Sequence, residues 1–120
     1  MGNVKAGTSY VLPVNISDTN FANISSIEFL FKQNAKGETL KTAYWSKDGT
    51  CRDAEKESGK NTILVIFSRD DTYLFKQGAV FLMDTRIHYD GAETNPYTPI
   101  VPLMMDETLF RRGEEVTADG

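Results

Sequence analysis

The sequence predicts an all-β sandwich of roughly six to eight short antiparallel strands. Three observations support this fold class. Short segments of alternating or continuous apolar residues recur along the 120 residues, turn residues separate them, and no segment has the length and period of a long amphipathic helix. A chain of this length forms one domain, which we expect to span residues 1–110. Residues 111–120 are charged and small, and predict a flexible C-terminal tail.

Two apolar segments in the second half of the chain form the centre of the predicted core. Residues 62–67 run without a charged break, which is typical of a strand covered on both faces at the centre of a sheet. Residues 79–89 predict a second strand of the same two-layer core.

A short helical turn is predicted between these two strands, near residues 69–75. Ser68 and Asp71 have the spacing with which a side chain and a carboxylate satisfy the free N–H groups at a helix start. Gly78 follows as a stop signal. We expect this acidic pair at Asp70 and Asp71 to serve helix capping, because adjacent helical residues point about 100° apart and cannot share a proton.

Two strands are predicted in the first third of the chain, after a patternless start at residues 1–7 that we expect to be loose. Residues 9–16 alternate strictly, and Pro13 removes one backbone donor, which favours the edge of a sheet. Residues 23–33 predict a half-buried strand, preceded by a polar turn that Phe21 anchors. The inward residues are Tyr10, Leu12, Val14, Ile16, Ile27, Phe29 and Phe31, and the outward ones are Glu28 and Lys32.

The middle of the chain predicts a hairpin and then a loop. Gly37 supplies a positive φ to the turn, and residues 39–46 return as a strand. Tyr44 and Trp45 lie on opposite faces of this strand, and alternation alone does not decide which ring is buried. Residues 47–60 are charged and predict a solvated loop.

A last strand is predicted at residues 97–105. Pro99 and Pro102 interrupt it, which confines it to an edge or to a crossing between the sheets.

Charge and cysteine content exclude several functional classes. The net charge is -4 with a pI near 4.9, and the densest basic cluster is Arg111-Arg112, which disfavours nucleic-acid binding. The sequence contains no run of about 18 apolar residues, so no membrane span is predicted. Residues 1–9 lack the features of a secretion signal, and we expect synthesis in the cytoplasm. Cys51 is the only cysteine, which excludes an intramolecular disulfide.

The sequence contains no combination of residues typical of a catalyst or a metal centre, and we predict no enzyme activity, cofactor or metal. His88 is the only imidazole, and it shares a strand face with Asp84 and Arg86. A single histidine does not make a zinc site, and this row is typical of a polar face toward solvent or a partner strand.

Aromatic residues offer one alternative to core packing. Tyr44, Trp45 and Tyr97, together with Tyr89, could form a platform on which sugar rings stack. Core packing is the favoured interpretation, but Tyr44, Trp45 and Tyr97 are the candidate contacts with a ligand or partner.

Four short segments agree in order and spacing with those of a known family: residues 4–13 (VKAGTSYVLP), 24–33 (ISSIEFLFKQ), 68–78 (SRDDTYLFKQG) and 84–91 (DTRIHYDG). With them the chain resembles a small immunoglobulin-like domain of phages and prophages of Gram-positive bacteria. Those domains are similar to the N-terminal domain of phage tail baseplate upper proteins.

The resemblance covers about residues 4–109 and implies an immunoglobulin-like sandwich that acts as a rigid structural adaptor in the virion tail. It implies no catalytic residue. It implies that the turn around Asp71, Phe75 and Gly78 and the following Arg86 and Ile87 matter for shape.

The expected function is therefore a non-enzymatic phage or prophage adaptor in the tail or baseplate. Its expected partners are other phage structural proteins or a second copy of the chain, reached through a strand edge or a sheet face. The alternative is a carbohydrate-binding module at a cell surface. Nucleic acid and membrane are not expected partners.

Overall fold

The computed structural model describes residues 3–5, 7–16, 21–34, 36–91 and 100–106. The described part of the chain is mostly β-structure with one short α-helix. Its elements in chain order are β1 (Asn3–Lys5), β2 (Tyr10–Asn15), a 3-10 turn (Phe21–Asn23), β3 (Ile24–Lys32), β4 (Lys41–Ser46), β5 (Ala54–Lys56), β6 (Thr62–Phe67), α1 (Arg69–Tyr73), β7 (Ala79–Tyr89) and β8 (Val101–Asp106).

The strands form two sheets that pack face to face. One sheet has the order β1-β8-β7-β3-β4 and the other the order β2-β6-β5. Adjacent strands are antiparallel except for β1 and β8, which are parallel. The order matches a variable-type immunoglobulin sandwich, in which a C′ strand, here β4, extends the CFG sheet opposite the B, E and D strands. The predicted all-β, immunoglobulin-like sandwich is confirmed, with one parallel pair that the sequence did not indicate.

Four phenylalanine rings join the two sheets in the centre of the core. Phe31 of β3 meets Phe67 of β6 edge to face at 5.0 Å between ring centroids. Phe75, which follows α1, lies 4.8 Å from Phe81 of β7, and the other two contacts of the cycle are 6.2 Å each. Because aromatic pairs favour such tilted contacts, this cycle stabilises the packing of one sheet on the other beyond simple burial.

Strand β6 is the centre of its sheet, as predicted, but it is not covered on both faces. Ile63, Val65 and Phe67 face the core, whereas Leu64 is half-buried and Ile66 is 38% exposed. The outer face of the three-stranded sheet is open to solvent. The apolar segment is continuous because Leu64 and Ile66 lie on this open face, not because a second layer covers it. Strand β7 belongs to the five-stranded sheet, so the two central segments of the predicted core lie in opposite layers.

The prediction that Pro13 marks an edge is confirmed, since β2 lies at one side of the three-stranded sheet. The Ile16 N–H donates to the Asn61 carbonyl, and alternation turns the backbone of Leu12 and Val14 toward β6. The backbone of Pro13 therefore faces the free edge. There its missing N–H leaves no gap in the ladder.

Three other expectations were wrong. The start of the chain is not a loose segment, because residues 3–5 pair with β8 as β1. The solvated loop at 47–60 contains a strand, β5, and a bridge in which Arg52 and Tyr44 exchange backbone hydrogen bonds. Gly37 does not have a positive φ. Three-residue strands are held by their partners and leave little periodicity to detect.

The helical turn is confirmed in position and cause. Ser68 accepts a hydrogen bond from the Asp71 N–H, and the Asp71 carboxylate accepts from the Ser68 N–H, which completes a capping box. Gly78 is not the helix stop that was predicted, because α1 ends at Tyr73 with Leu74 as its C-cap. Gly78 has a φ of 71° and directly precedes β7. The predicted residue Tyr97, the Pro99 interruption and the tail at 111–120 lie outside the described residues, and the domain boundary stays a prediction.

Candidate functional site

The outer face of the five-stranded sheet carries side chains from β3, β4, β7 and β8. Its centre is formed by β7 and β3, whose alternate residues point away from the core. This outer face consists of Glu28, Leu30, Lys32, Thr42, Tyr44, Val80, Leu82, Asp84, Arg86, His88, Pro102 and Met104.

One end of this outer face is charged. Glu28 of β3 lies between two residues of β7: its carboxylate is 2.6 Å from His88 Nε2 and 3.8 Å from the Arg86 guanidinium. The side chains of Glu28 and Arg86 are 44% and 69% exposed, so the ion pair is open to solvent and contributes little stability. The predicted polar row at Asp84, Arg86 and His88 is present, with Glu28 from the adjacent strand added to it.

The other end of the face is apolar. Val80 of β7 lies beside Met104 of β8, and Leu82 lies beside Pro102. Val80 and Met104 are 46% and 36% exposed. An exposed apolar pair, Val80 and Met104, thus adjoins a second apolar pair in which Leu82 is half-buried, on the same face as a charged cluster. This is the composition of an interface core with a polar rim.

A depression of about 260 Å³ lies beside the charged end of the face, on the side of β4. Tyr44, Arg52 and Asp84 contribute to its wall. Arg52 is held in place by a 2.7 Å hydrogen bond to the Thr42 hydroxyl. The depression can accept a side chain of a docking partner.

The structure separates the predicted aromatic contacts. Tyr44 is half-buried on this outer face, whereas Trp45 faces the core, is 7% exposed and packs against Phe21 at 5.6 Å between ring centroids. Trp45 also lies at a groove of about 700 Å³ beside β4 and β5, where Lys56 lies over the Phe21 ring. Tyr97 lies outside the described residues. Tyr44 and Trp45 therefore do not share one stacking surface.

A buried lysine is the chemical feature that the sequence analysis did not identify. The Nζ of Lys41 lies 2.7 Å from the Asp53 carboxylate and 2.7 Å from the Asp71 carboxylate, and 5.5 Å from the centroid of the Phe67 ring. The side chain of Lys41 is 4% exposed, against 48% for Asp53 and 25% for Asp71. We call these three residues the Lys41 cluster.

The Lys41 cluster connects the two sheets. Lys41 belongs to β4 of the five-stranded sheet, Asp53 precedes β5 of the three-stranded sheet, and Asp71 lies in α1. Asp53 has a φ of 53°, a left-handed conformation that aspartate tolerates better than most residues. The signal in the sequence was the alternation of β4, which places Lys41 on the same face as Ala43 and Trp45.

The ionisation of Asp71 reflects this environment. Burial raises the pKa of its carboxyl, but hydrogen bonds from Lys41 and Ser68 lower it by more, so that the pKa lies below its ordinary value of 3.8. Asp71 is therefore a carboxylate at neutral pH and pairs with the lysine.

No group of three or more His, Cys, Asp or Glu side chains among the described residues is placed to hold a metal ion. None of the helices in the described ranges has the length and apolar character needed to cross a bilayer.

The arrangement of the strands defines an immunoglobulin-like β-sandwich. Comparison with known proteins does not assign the chain to a family. No protein-family model and no curated protein matches the chain. One similar solved structure is the extracellular domain of the voltage-gated sodium channel beta4 subunit, described as a parallel homodimer with a role in cell–cell adhesion. It is 12% identical with a TM-score of 0.44, over 89% of this chain and 90% of that one.

A second similar structure comes from voltage-gated sodium channel beta subunits, described in terms of multimeric cell-adhesive interactions. It is 13% identical with a TM-score of 0.49, over 88% of each chain. At this level of similarity neither structure identifies a partner of this chain.

Proposed function

We propose that the chain is a non-enzymatic adaptor module of a phage or prophage tail or baseplate, and that it acts through protein–protein contacts. The tail context rests on the sequence resemblance. The observation that carries the docking role is the outer face of the five-stranded sheet, where an exposed apolar cross-strand pair lies on the same face as a charged cluster.

The strand edges support a sheet face as the docking surface. Pro13 removes a donor from the free edge of β2, and the bridge to Arg52 covers part of the edge of β4. The two remaining edge strands, β1 and β5, are three residues long. Such features are typical devices that keep sheet edges from pairing with other chains.

The partner we favour is a second structural protein of the tail, bound through Val80 and Met104. Hydrophobic contact supplies the affinity, and Glu28 and Arg86 at the rim supply orientation. A second copy of the chain is the other possible occupant, and it is distinguished by the measurement below.

The test is co-expression with each tail or baseplate protein encoded beside this chain, followed by size-exclusion chromatography with light scattering. Val80→Asp should abolish any complex, because it places a charge at the apolar end of the face. Val11→Asp is the matched control, since Val11 is a similarly exposed valine (49%) on the opposite sheet. Loss of binding in Val11→Asp alone would contradict the assignment, and a dimer of the isolated chain would identify a second copy as the occupant.

The carbohydrate alternative has weaker support. Sugar stacking favours an exposed ring platform, and Trp45 is largely buried on the face opposite Tyr44. Titration with cell-wall sugars, followed by Trp45 fluorescence, should give no response. A saturable change would favour the groove beside Trp45 as a sugar site.

A further inference from the structure

We propose that Lys41 and Asp71 condense to an intramolecular amide, with Asp53 as the proton carrier. The Lys41 Nζ contacts both carboxylates at 2.7 Å, and its side chain is 4% exposed. A primary amine and a carboxyl held in contact have an effective concentration of about 10⁵–10⁸ M when their orientation is favourable. The cluster brings the reacting groups together without any further component.

The two aspartates have different roles because their environments differ. Asp71 is the better buried, and the Ser68 N–H donates to its carboxylate at 2.9 Å. This donor stabilises the negative oxygen that forms when nitrogen attacks the carboxyl carbon. Asp53 is 48% exposed and can exchange protons with water, so it serves as the carrier.

The reaction balances within the cluster. Asp53 relays a proton from the Lys41 ammonium to the Asp71 carboxylate, which leaves a free amine beside a carboxylic acid. The amine then forms a bond from Nζ to Cγ of Asp71, and Asp53 passes its second proton to the departing hydroxyl. The bond from Cγ to Oδ1 breaks, and the oxygen leaves as water with the two protons that the nitrogen has lost. Asp53 returns to its carboxylate form, and the ammonium and carboxylate charges of the reacting pair cancel.

The position of the bond explains why the product persists. The charges of the buried Lys41 and the partly buried Asp71 disappear, which removes the cost of keeping the ammonium out of water. Hydrolysis would have to expel the Lys41 amine, whose side chain is 4% exposed and stays beside the acyl carbon. The amide also supplies a covalent link between the two layers, in a sandwich whose single cysteine cannot form the inter-sheet disulfide of antibody domains.

Intact-mass spectrometry of the denatured, purified chain tests the proposal. The wild-type mass should be lower than the sequence mass by one water, whereas Lys41→Arg and Asp53→Asn should each have their full sequence mass. Lys47→Arg is the matched control. Lys47 also pairs with a carboxylate, Asp90, but both side chains are nearly half exposed, so this variant should keep the loss of water. A full sequence mass in the wild-type chain would overturn the proposal without reference to any variant.

Peptide mapping identifies the bond. Loss of water by cyclisation at Asp48-Gly49 or Asp90-Gly91 would leave every tryptic peptide linear. The proposal requires a branched product that joins residues 37–47 to residues 70–76. Linear peptides throughout would overturn it, and a branch to residues 53–56 would overturn the assignment of Asp71 as the acyl group.

Discussion

At the residue scale, buried polar side chains hold this sandwich together at the places where its segments meet. Thr72 is fully buried, and its hydroxyl accepts the Gly7 N–H at 3.0 Å and lies 3.1 Å from the Thr8 carbonyl. Gly7 has a φ of 81° and lies against the Tyr73 ring, where a Cβ would come within 2.6 Å of the hydroxyl oxygen. Gly7 and Thr8, which precede β2, are thereby fixed to α1.

Replacing Thr72 by valine tests this contact. The change keeps the shape but leaves the Gly7 N–H without its acceptor, and we expect a loss of about 1–3 kcal/mol in the free energy of unfolding. Thr72→Ser should lose less, because it keeps the hydroxyl. Equal stability of the valine variant and the wild-type chain in urea unfolding would show that the hydrogen bond does not contribute.

A second prediction concerns acid. The folded-state pKa of Asp71 is lowered, so its stabilising contribution is complete above its unfolded value of about 4 and is lost as the pH falls through the folded value. In Asp53→Asn, where the ion pair cannot condense, the urea midpoint should therefore fall between pH 5 and about 2. The double variant Asp53→Asn/Asp71→Asn should lose less over this range, and parallel behaviour of the two would contradict the linkage.

The residues of the core could be predicted from alternation, but the Lys41 cluster could not. Ile27, Phe29 and Phe31 face inward as predicted, because strong apolar alternation leaves one solution. Lys41 is an exception to the rule that charges face water, and only its two carboxylate partners, distant in sequence, make its burial favourable. Alternation also did not decide whether Trp45 is buried, because Tyr44 and Trp45 place an aromatic ring on each face of β4.

At the scale of the elements, local signals located the strong features and missed the weak ones. The capping box and the proline at an edge depend on neighbouring residues, and both are present. Strands β1 and β5 depend on partners far along the chain, and no local pattern revealed them. The open face of β6 was missed because apolar residues occupy both of its faces.

The cap of α1 gives a prediction at this scale. Ser68→Ala removes the acceptor of the Asp71 N–H, and we expect a loss of about 1 kcal/mol in the free energy of unfolding. Ser58→Ala, in an exposed turn, is the control and should change stability little. If both variants lose the same free energy of unfolding in chemical denaturation, the cap does not contribute specifically to stability.

The edge of β2 gives a second prediction at the scale of the elements. Pro13→Val restores an N–H that points away from β6, and we expect increased self-association because a free edge with its donors complete can pair with another chain. Light scattering over a range of concentrations measures this. A variant as monomeric as the wild-type chain would show that Pro13 does not protect the edge.

At the scale of the whole molecule, the sequence predicted the two-layer class and left the arrangement of the layers open. Sheet order depends on which distant strands meet, and the pairing of β1 with β8 or of β7 with β3 leaves no trace in either strand alone. The candidate docking face follows from that order, since Val80 and Met104 become neighbours only when β7 and β8 pair.

The closed core predicts the behaviour of the single tryptophan. Because Trp45 is 7% exposed and packs against Phe21, its fluorescence should be shifted to the blue, and iodide should quench it much less than in the urea-unfolded chain. Quenching as strong in the folded protein as in urea would contradict the packing of this region.

The parallel pairing of β1 with β8 governs how the domain would respond to tension. Asn3 lies beside Met104 and Lys5 beside Asp106. Because the two strands run in the same direction, β1 begins at one end of the pair and β8 ends at the other. A pull on the two ends would slide these strands past each other and strain all their backbone hydrogen bonds simultaneously, instead of peeling them apart in succession. A module joined to others through its ends would therefore resist stretching at the junction where load enters it.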